Sequence, residues 1–547
     1  MSANPRVIPV TGMTCDQCAT TLEHTLAALP GVQARVSYPK AHVLIEALGP
    51  TTLPEVVAAI RDAGYGARLP ESGARHVAAN GGGDLHVAII GSGAAAFACA
   101  ISASERGARV TMIEAGPVIG GTCVNTGCVP SKILIRAAQA AHDEAAPRIQ
   151  GIAAPGGVID WERLIRQQQA RVDALRQAKY QDILDRNPRI TLKPAAARFL
   201  SPRALALVDR AGREESLEAD RFLIATGASP AIPALPGLAG TPFWTSTEAL
   251  VAPQAPEHLL VLGASVVALE LAQAFRRLGS QVTILARGRV LSRMDADLGA
   301  GLQAVFEQEG IRVLTACPAS AVRYQKDTFT LDTPLGLVSG DRLLVATGRK
   351  PNTDHLDLAK AGVRTDAHGA ITVDTHLRTS ASGIYAAGDC GTLPPFVYVA
   401  AASGTRAGIN MTGGDSTLDL RVMPTVIFTD PQVATVGLTE TAARAQGLTT
   451  EVRTLALAHV PRAQVNFDER GFIRLVAESP SGRIVGAQVL AAEGGEVIQT
   501  AALAIRNAMT VTDLADQLFP YLTMVEGLKL CAQTFTKDVT ALSCCAG

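Results

Sequence analysis

Two distant segments of the chain each join an apolar strand to a glycine turn and the start of a helix. The first strand begins at Leu85 and runs into Gly91, and the second begins at His258 and runs into Gly263. This arrangement is typical of dinucleotide-binding units, because glycine lets the backbone turn and bring a helix N-terminus close to a pyrophosphate. We therefore expect two Rossmann-like domains of the α/β class.

The first turn carries the more complete dinucleotide signature. It reads Gly-Ser-Gly-Ala-Ala-Ala, and its small residues allow the helix to pack closely on the strand. An acid ends the next strand, where a carboxylate can accept hydrogen bonds from ribose hydroxyls. The predicted binding residues are Gly91, Gly93, Ala94, Ala95, Ala96 and Glu114.

The second turn departs from this pattern. Ser265 stands where a second glycine is usual after Gly263, and the following strand ends without an acid. Arg287 and Arg289 come next instead, and arginines favour the 2′-phosphate of NADPH over the free hydroxyl of NAD. We expect this domain to bind NADPH, the alternative being that both arginines belong to a solvated loop.

Ten cysteines are present, and six of them form three close pairs: Cys15 with Cys18, Cys123 with Cys128, and Cys544 with Cys545. A secreted disulfide framework would be short and dense in cysteine, and the first residues do not resemble a secretory signal. The pairs therefore indicate redox or metal chemistry. The other four match no motif and are predicted to pack as small buried apolar side chains: Cys99, Cys317, Cys390 and Cys531.

The central pair has the features of a redox-active dithiol. Cys123 and Cys128 are close enough in sequence to close a small disulfide ring, and Cys128 enters a helix that carries Lys132. A helix start and a nearby ammonium both lower the pKa of a thiol. The alternative is a pair of inert buried cysteines.

The sequence around this pair, Gly-Gly-Thr-Cys-x4-Cys-x-Pro-Ser-Lys, resembles the active-site signature of the pyridine nucleotide–disulfide oxidoreductases. The segment Ala-Ala-Gly-Asp that ends at Asp389 is similar to the second flavin motif of that family. From about residue 85 to residue 540 the chain resembles this family, which implies FAD, NADPH and a C-terminal dimerisation domain. The resemblance also implies that Cys128 touches the flavin as the charge-transfer thiolate and that Cys123 is the interchange thiol.

The same resemblance implies roles for further residues. Lys132 and Glu270 match the family's ion pair beside the flavin, and Asp389 matches the residue that binds the ribityl chain. The remaining positions implied to contact FAD are Gly121 and Thr122 in the signature, Ala197 at the adenine, and Val397 beside the flavin ring.

Residues 1–69 are predicted to form a separate βαββαβ unit of the ferredoxin-like type. Its first loop carries Gly-Met-Thr-Cys15-Asp-Gln-Cys18, which closely resembles the heavy-metal-associated domain. Two thiolates at this spacing can bind one soft cation, and a helix start lowers their pKa. A thioredoxin-like redox motif is the alternative, but the unit is too short for that fold.

The C-terminal region distinguishes between members of the family. Disulfide reductases carry a His-Pro-Thr-x-x-Glu segment here, whereas this chain reads Tyr521-Leu-Thr-Met-Val-Glu526. A phenol with a pKa near 10 is a poor proton shuttle for thiols at neutral pH. The chain then ends in Cys544 and Cys545, adjacent thiols suited to capturing a thiophilic ion.

These features together resemble the branch of the family that reduces mercury(II), with Hg(II) as the substrate. The resemblance implies a homodimer with its active site at the subunit interface. Hg(II) is expected to arrive on small thiols or from a mercury transporter. The predicted metal ligands are Cys15, Cys18, Cys123, Cys128, Cys544 and Cys545, and the predicted catalytic residues are Cys123, Cys128, Tyr521, Lys132 and Glu270.

Two other functions are compatible with parts of the sequence. One is a disulfide reductase of the dihydrolipoamide or glutathione type, against which Tyr521 argues. The other is a metal chaperone whose flavin domain only keeps its thiols reduced.

Composition excludes several other classes of protein. Lys and Arg number 49 against 50 Asp and Glu, which argues against nucleic acid as a main partner. The 48% hydrophobic content excludes general disorder, and no run of about 18 uncharged apolar residues predicts a membrane span. We expect a cytoplasmic enzyme.

The expected fold is a mixture of α/β and α+β domains. The predicted boundaries are 1–70 for the heavy-metal-associated domain, 71–84 for a flexible linker, 85–240 and 351–420 for the FAD domain, 241–350 for the NADPH domain, and 421–547 for the dimerisation domain with its Cys-Cys tail.

Overall fold

A computed structural model describes residues 6–11, 16–37, 42–67, 85–149 and 158–538 of the chain. The chain divides into two units, Met1–Gly82 and Gly83–Gly547. The predicted linker and the cysteines Cys15, Cys544 and Cys545 lie outside the described residues.

The N-terminal unit has the predicted βαββαβ order. Its elements are β1 (Arg6–Thr11), α1 (Asp16–Ala27), β2 (Gln33–Ser37), β3 (His42–Ala47), α2 (Leu53–Asp62) and β4 (Gly66–Ala67). The antiparallel sheet has the order β2-β3-β1-β4, and Leu22, Leu26, Val56 and Ile60 of the two helices are buried against it. The prediction of a ferredoxin-like sandwich is confirmed.

The second unit begins with the first nucleotide-binding domain. Its strands are β5 (His86–Ile90), β6 (Arg109–Glu114), β7 (Ile190–Ser201), β8 (Ala204–Asp209), β9 (Glu214–Glu218), β10 (Arg221–Ile224) and β11 (Ala228–Pro230). Its helices are α3 (Ala94–Glu105), α4 (Gly121–Thr126), α5 (Cys128–Ala145), α6 (Trp161–Arg176) and α7 (Asp182–Arg186), with a π-helix at Gln177–Gln181.

A second domain of the same kind follows. Its strands are β12 (His258–Leu262), β13 (Gln281–Leu285), β14 (Arg312–Leu314), β15 (Ala321–Gln325), β16 (Thr328–Thr333), β17 (Gly336–Gly340), β18 (Arg342–Val345) and β19 (Arg349–Pro351), and its helices are α8 (Ser246–Ala249), α9 (Val266–Arg277) and α10 (Ala296–Gln308). The order β14-β13-β12-β18 forms a parallel sheet, and β15 to β17 form a small antiparallel one.

The chain then returns to the first domain through a 3-10 turn (Leu358–Ala361), β20 (Ile384–Ala386) and α11 (Val397–Met411). The completed sheet has the order β20-β10-β5-β6-β7-β8-β9, with parallel pairing from β20 to β7. Strands β11 and β19 pair where the chain passes between the two domains. This topology places the carboxyl ends of β5 and β10 beside the start of α3, where a ligand binds in such folds.

The two parallel sheets share a set of contacts around their first strands. In each, a histidine at the start of the strand places Nε2 2.9 Å from a threonine Oγ1 on the next strand, and its backbone N–H donates to an aspartate carboxylate. The three residues are His86, Thr111 and Asp220 in the first sheet, and His258, Thr283 and Asp341 in the second.

The last domain is α+β. It consists of β21 (Thr425–Ile427), β22 (Gln432–Gly437), α12 (Glu440–Ala445), β23 (Thr450–Ala456), α13 (Pro461–Val465), β24 (Phe472–Glu478), β25 (Ile484–Ala491), α14 (Gly494–Arg506), α15 (Val511–Ala515) and α16 (Glu526–Gln533). The sheet has the antiparallel order β21-β22-β25-β24-β23. The predicted mixed α/β and α+β fold is therefore confirmed.

Packing between domains positions the helices that carry the redox cysteines. Leu134 of α5 and Trp161 of α6 share one buried core with Phe275 of α9, and the rings of Trp161 and Phe275 stack at 5.7 Å. This core holds α5 against α9. The four unpaired cysteines Cys99, Cys317, Cys390 and Cys531 are fully buried, as predicted.

No helix in the described part of the chain is long and apolar enough to cross a membrane.

Candidate active site

The two central cysteines lie on consecutive helices separated by one glycine. Cys123 is in α4 and Cys128 is the first residue of α5, with Gly127 between the helices. A Cβ at Gly127 would lie 2.9 Å from the carbonyl oxygen of Thr122, so only glycine allows this close junction. The junction turns both thiols toward each other at the start of an 18-residue helix.

The environment makes the two thiols unequal. Cys123 donates a hydrogen bond to the sulfur of Cys128, and this bond, together with the positive charge of Lys132, lowers the pKa of Cys128 to about 7. The same bond and burial raise the pKa of Cys123. Since Cys128 also starts a helix, its thiolate is stabilised by the helix dipole. Near neutral pH Cys123 therefore remains a thiol while a large fraction of Cys128 is thiolate.

Lys132 lies one turn further along α5 and forms an ion pair with α9. Its Nζ is 2.7 Å from Oε2 of Glu270, whose side chain is only 5% exposed. The other carboxylate oxygen, Oε1, accepts the backbone N–H of Phe428 at 2.9 Å. The ring centroid of Phe428 lies 4.7 Å from the Lys132 ammonium. Phe428 was not identified from the sequence, because no local motif marks it.

Tyr180 is a second residue that the sequence did not indicate. It lies in the π-helix between α6 and α7, and its ring packs edge-to-face on Phe97 at 4.9 Å. Burial, and secondarily electrostatic interaction with the Cys123 and Cys128 sulfurs, raise the pKa of its phenol. Tyr180 therefore stays protonated beside the thiol pair. A π-helix adds a residue to one turn and is frequent at functional sites, but it leaves no clear sequence signal.

The first glycine turn forms a close-packed cradle. A Cβ at Gly91 would overlap the carbonyl oxygen of Ala225, and a Cβ at Gly121 would lie 2.6 Å from the Cα of Gly93. Ala94 and Ala96 lie with Ala95 in the first turn of α3, and Gly404 of α11 packs directly on the backbone of Ala95. Backbone N–H groups at this helix start are thus left accessible to a pyrophosphate.

Carboxylates near this cradle fit the hydroxyl groups of FAD. Glu114 ends β6 and accepts hydrogen bonds from Ser92 and from the backbone N–H of Gly116. Asp389 makes no hydrogen bond to another described residue, its closest cation being the Nε of Arg349 at 4.0 Å, and burial raises its pKa. A largely buried carboxylate that accepts no hydrogen bond is costly unless a ligand supplies the donors.

Three further residues that are predicted to contact FAD lie on elements around the cradle. Thr122 is exposed in α4, Ala197 is on β7 opposite Leu207, and Val397 begins α11 with 38% of its surface exposed. Their positions and the cradle together fit an extended dinucleotide.

The second glycine turn repeats this packing with different polar groups. A Cβ at Gly263 would overlap the carbonyl oxygen of Ala346. Ser265 has an extended backbone (φ −114°, ψ −175°), an exposed side chain, and no hydrogen bond that caps α9. Since any residue adopts this conformation, serine replaces the usual glycine without strain.

The two arginines after β13 differ in their contacts. Arg289 donates to the carbonyl oxygens of Leu291, Ser292 and Met294 at 2.5–3.3 Å. Arg287 is exposed and bonds to no residue that the structure describes. Arg287 is therefore the one whose guanidinium is available to a phosphate.

The predicted C-terminal residues lie in another domain. Tyr521 precedes α16 and is 50% exposed, and Glu526 is the first residue of α16. Burial raises the pKa of Glu526, whose carboxylate accepts the backbone N–H of Leu522. Cys18 is in the first turn of α1. Among the residues with described side chains, no group of three or more His, Cys, Asp or Glu is placed to hold a metal ion.

Three protein-family models match the chain. Residues 85–404 match the pyridine nucleotide-disulphide oxidoreductase model, residues 423–532 match the dimerisation domain of the same family, and residues 7–66 match the heavy-metal-associated domain. The second match indicates that the protein forms dimers.

Curated relatives are similar over the whole chain. A mercuric reductase of Acidithiobacillus ferrooxidans is 56% identical over 545 residues, covering 99% of both chains. A mercuric reductase of Shewanella putrefaciens is 52% identical over 555 residues, covering 99% of this chain and all of the relative.

Solved structures show the same fold. The HOCl-induced flavoprotein disulfide reductase RclA of Escherichia coli, in its Cu(II) complex, aligns with a TM-score of 0.75 at 28% identity, over 83% of this chain and all of RclA. The oxidoreductase family model matches more than half of this chain. The chain therefore belongs to the pyridine nucleotide-disulphide oxidoreductase family.

Proposed function

We propose that this protein is an NADPH-dependent mercury(II) reductase, which converts Hg(II) to volatile Hg(0) and so detoxifies mercury. The observation that carries the proposal is the 56% identity to a mercuric reductase over 99% of both chains. The paired thiols, with Cys128 favouring the thiolate, supply groups that suit both electron transfer and binding of a soft cation.

Two nucleotides serve the reaction. When bound, FAD accepts two electrons from NADPH and makes them available to the thiol pair and the metal. The cradle of Gly91, Gly93 and Gly121 would hold the FAD pyrophosphate, with Glu114 and Asp389 toward its hydroxyl groups. Gly263, Ser265 and Arg287 would hold NADPH, and Arg289 would shape the adjoining loop.

The thiol pair alternates between a disulfide and a reduced form. Two electrons and one proton open the Cys123–Cys128 disulfide, leaving a thiol at Cys123 and a thiolate at Cys128. The Lys132 ammonium stabilises the negative charge on Cys128, and Glu270 holds that ammonium in place. Both sulfurs then bind Hg(II) as thiolates, with release of the Cys123 proton, and two further electrons convert the ion to Hg(0).

Transfer between thiolate pairs keeps mercury bound until it is reduced. Cys15 and Cys18 collect Hg(II), and Cys544 and Cys545 at the tail of one subunit pass it to the Cys123–Cys128 pair of the other. No leaving thiol needs a proton in this sequence, which explains why Tyr521 can stand where disulfide reductases carry histidine. Tyr521 would help to shape the metal site, and Tyr180 would provide a protonated phenol near the thiol pair.

The proposed setting is a cytoplasmic homodimer with the active site at the subunit interface. Hg(II) would reach it on small thiols or from a mercury transporter. The boundaries proposed for its domains are those expected from the sequence, with the FAD domain interrupted by residues 241–350.

A disulfide reductase and a metal chaperone are the alternatives. The structural likeness to RclA is compatible with the first, but the histidine that protonates a leaving thiol is replaced by Tyr521. A metal chaperone would not require a redox pair whose two thiols have unequal pKa values.

The test is an assay of the full-length protein loaded with FAD, given NADPH and Hg(II) in excess thiol. We expect mercury-dependent NADPH oxidation accompanied by volatile mercury. Turnover of lipoamide or glutathione disulfide without mercury reduction would favour a disulfide reductase. Tight copper binding with neither activity would favour a chaperone.

A further inference from the structure

Phe428 contacts both members of the Lys132–Glu270 ion pair. Its backbone N–H donates to Oε1 of Glu270 at 2.9 Å, and its ring centroid lies 4.7 Å from the Lys132 ammonium. Glu270 uses its other oxygen for Lys132. The three residues therefore form a closed set of contacts, although they come from three different domains.

Residues 428–430, which we name the strap, connect β21 to β22 and are held by α9. Gln273, which is 4% exposed, accepts the Asp430 N–H and donates to the Asp430 carbonyl, both at 2.8 Å. Arg277 donates to the Asp430 carboxylate at 2.8 Å and is itself paired with the buried Glu309. The strap is thus fixed by one face of the helix that carries Glu270.

These contacts restrict where the Lys132 ammonium can go. The Lys132 side chain is 35% exposed, so a flexible stem could otherwise turn its charge into solvent. An aromatic face attracts an ammonium placed within about 6 Å of the ring centroid. Lys132 follows Cys128 by four residues on α5, so their side chains share a helix face and the ammonium acts on the Cys128 sulfur. The ring of Phe428 and the carboxylate of Glu270 hold the ammonium there.

We propose that Phe428 is a positioning residue, which holds the Lys132 ammonium beside Cys128 and so favours the reduced form of the Cys123–Cys128 pair. The inference rests on the proposed function only in taking these cysteines as a redox pair. Opening the disulfide takes two electrons and one proton, leaving a thiol at Cys123 and a thiolate at Cys128. The reduced form alone carries the new negative charge, and a fixed ammonium stabilises it.

The test compares Phe428→Leu, which keeps the apolar bulk and the backbone N–H, with Phe428→Tyr, which keeps the aromatic face. Full-length holoenzyme is equilibrated in glutathione redox buffers without mercury. The fraction oxidised is then measured by alkylation and mass spectrometry of the peptide that contains both cysteines.

We expect Phe428→Leu to shift the equilibrium constant about threefold toward the disulfide, because without the ring the ammonium spends part of its time in solvent instead of beside the thiolate. Phe428→Tyr is expected to match the wild type. Gln273→Met removes both hydrogen bonds to Asp430 but keeps the Phe428 side chain. It should also shift the equilibrium toward the disulfide. Adding Gln273→Met to Phe428→Leu should then have little further effect.

An unchanged equilibrium in Phe428→Leu, or an equal shift in Phe428→Tyr, would overturn the proposal. Because the measurement contains no mercury, these shifts are expected even of a protein that fails to reduce Hg(II). If the two cysteines form no disulfide in any buffer, the proposal is overturned together with the redox pair in the proposed function.

Discussion

Gly263 lies against the carbonyl oxygen of Ala346 so closely that a Cβ on the glycine would overlap that oxygen. Its φ of +126° is also one that L side chains rarely adopt. Gly91 has the same relation to Ala225, with a φ of +116°. Each turn therefore requires glycine both for its backbone conformation and for the approach of a neighbouring strand end.

Replacing either glycine should affect one nucleotide only. Gly263→Ala is expected to weaken NADPH binding at least about tenfold, or ~1.4 kcal/mol, while FAD content stays normal, because only the second turn must shift. Gly91→Ala is expected to lower FAD content instead. Bound flavin is measured by absorbance and NADPH affinity by fluorescence titration. Gly279→Ala is the control, because Gly279 shares the positive φ but has nothing near its Cβ position.

Removing the thiol of Cys123 should abolish mercury reduction without loss of FAD. In Cys123→Ser we expect mercury-dependent NADPH oxidation to fall roughly a thousandfold or more, because the dithiol cannot form. The measurement is volatile mercury produced per enzyme-bound flavin. Cys317→Ala, at a buried cysteine outside the site, should retain activity. Substantial turnover by Cys123→Ser would show that the assigned role is wrong.

The charge of Lys132 should be visible in the titration of Cys128. The pKa of about 7 is below the ordinary thiol value because Cys123 donates a hydrogen bond to the Cys128 sulfur and because the Lys132 ammonium stabilises the thiolate. Lys132→Met is therefore expected to raise the pKa, so that less thiolate is present at pH 7 and alkylation becomes slower there. The midpoint of the Cys128 titration is measured in a Cys123→Ser background, from the rate at which the Cys128 peptide is alkylated at each pH. Lys193→Met, at an exposed ion pair with Glu215, should leave it unchanged.

Tyr180→Phe should slow the reduction of mercury while leaving NADPH binding intact. The phenol stays protonated near both thiols, and a hydrogen bond that it donated to a metal-bound sulfur during reduction would be worth about a tenfold change in kcat. Steady-state kinetics with Hg(II) and NADPH check this. Tyr324→Phe removes a phenol from an exposed hairpin and should behave as the wild type. Equal kcat values in Tyr180→Phe and Tyr324→Phe would show that the Tyr180 hydroxyl has no role in mercury reduction.

Arg287 and Arg289 should differ in their effect on nucleotide choice. We expect Arg287→Ala to raise the KM for NADPH about tenfold, since hydrogen bonds to a charged group contribute ~1.5–3 kcal/mol, and to leave the KM for NADH unchanged. Arg289→Ala should change the KM for NADPH and the KM for NADH together, because the Arg289 guanidinium holds the loop at Leu291–Met294. The measurement is initial rate against each nucleotide. A selective effect at Arg289 instead would contradict the assignment.

The sequence predicted the fold and the residues of local motifs well. Both glycine turns, the acid at Glu114 and the close pair of Cys123 and Cys128 are encoded in short segments. The strands and helices around them have clear periodicity. Even the substitution at Ser265 is compatible with the fold, because the backbone there is extended rather than left-handed.

What the sequence did not reveal depends on contacts between distant segments. Phe428 is 158 residues from Glu270 and has no motif of its own. Tyr180 lies near the thiols because it belongs to a π-helix, which hydrophobic periodicity does not reveal. Arg289 and Arg287 look equivalent in sequence, and only the loop carbonyls around Arg289 separate them.

The matching histidine, threonine and aspartate contacts show that the two parallel sheets are built around the same local arrangement. The interval from histidine to aspartate is 134 residues in the first copy, His86 to Asp220, but 83 in the second, His258 to Asp341. The longer interval contains Cys123, Cys128 and Tyr180. The two sheets thus share their first-strand contacts but differ in the length of chain that joins them, and the thiol pair lies in the longer connection, whereas the shorter one carries only the buried Cys317.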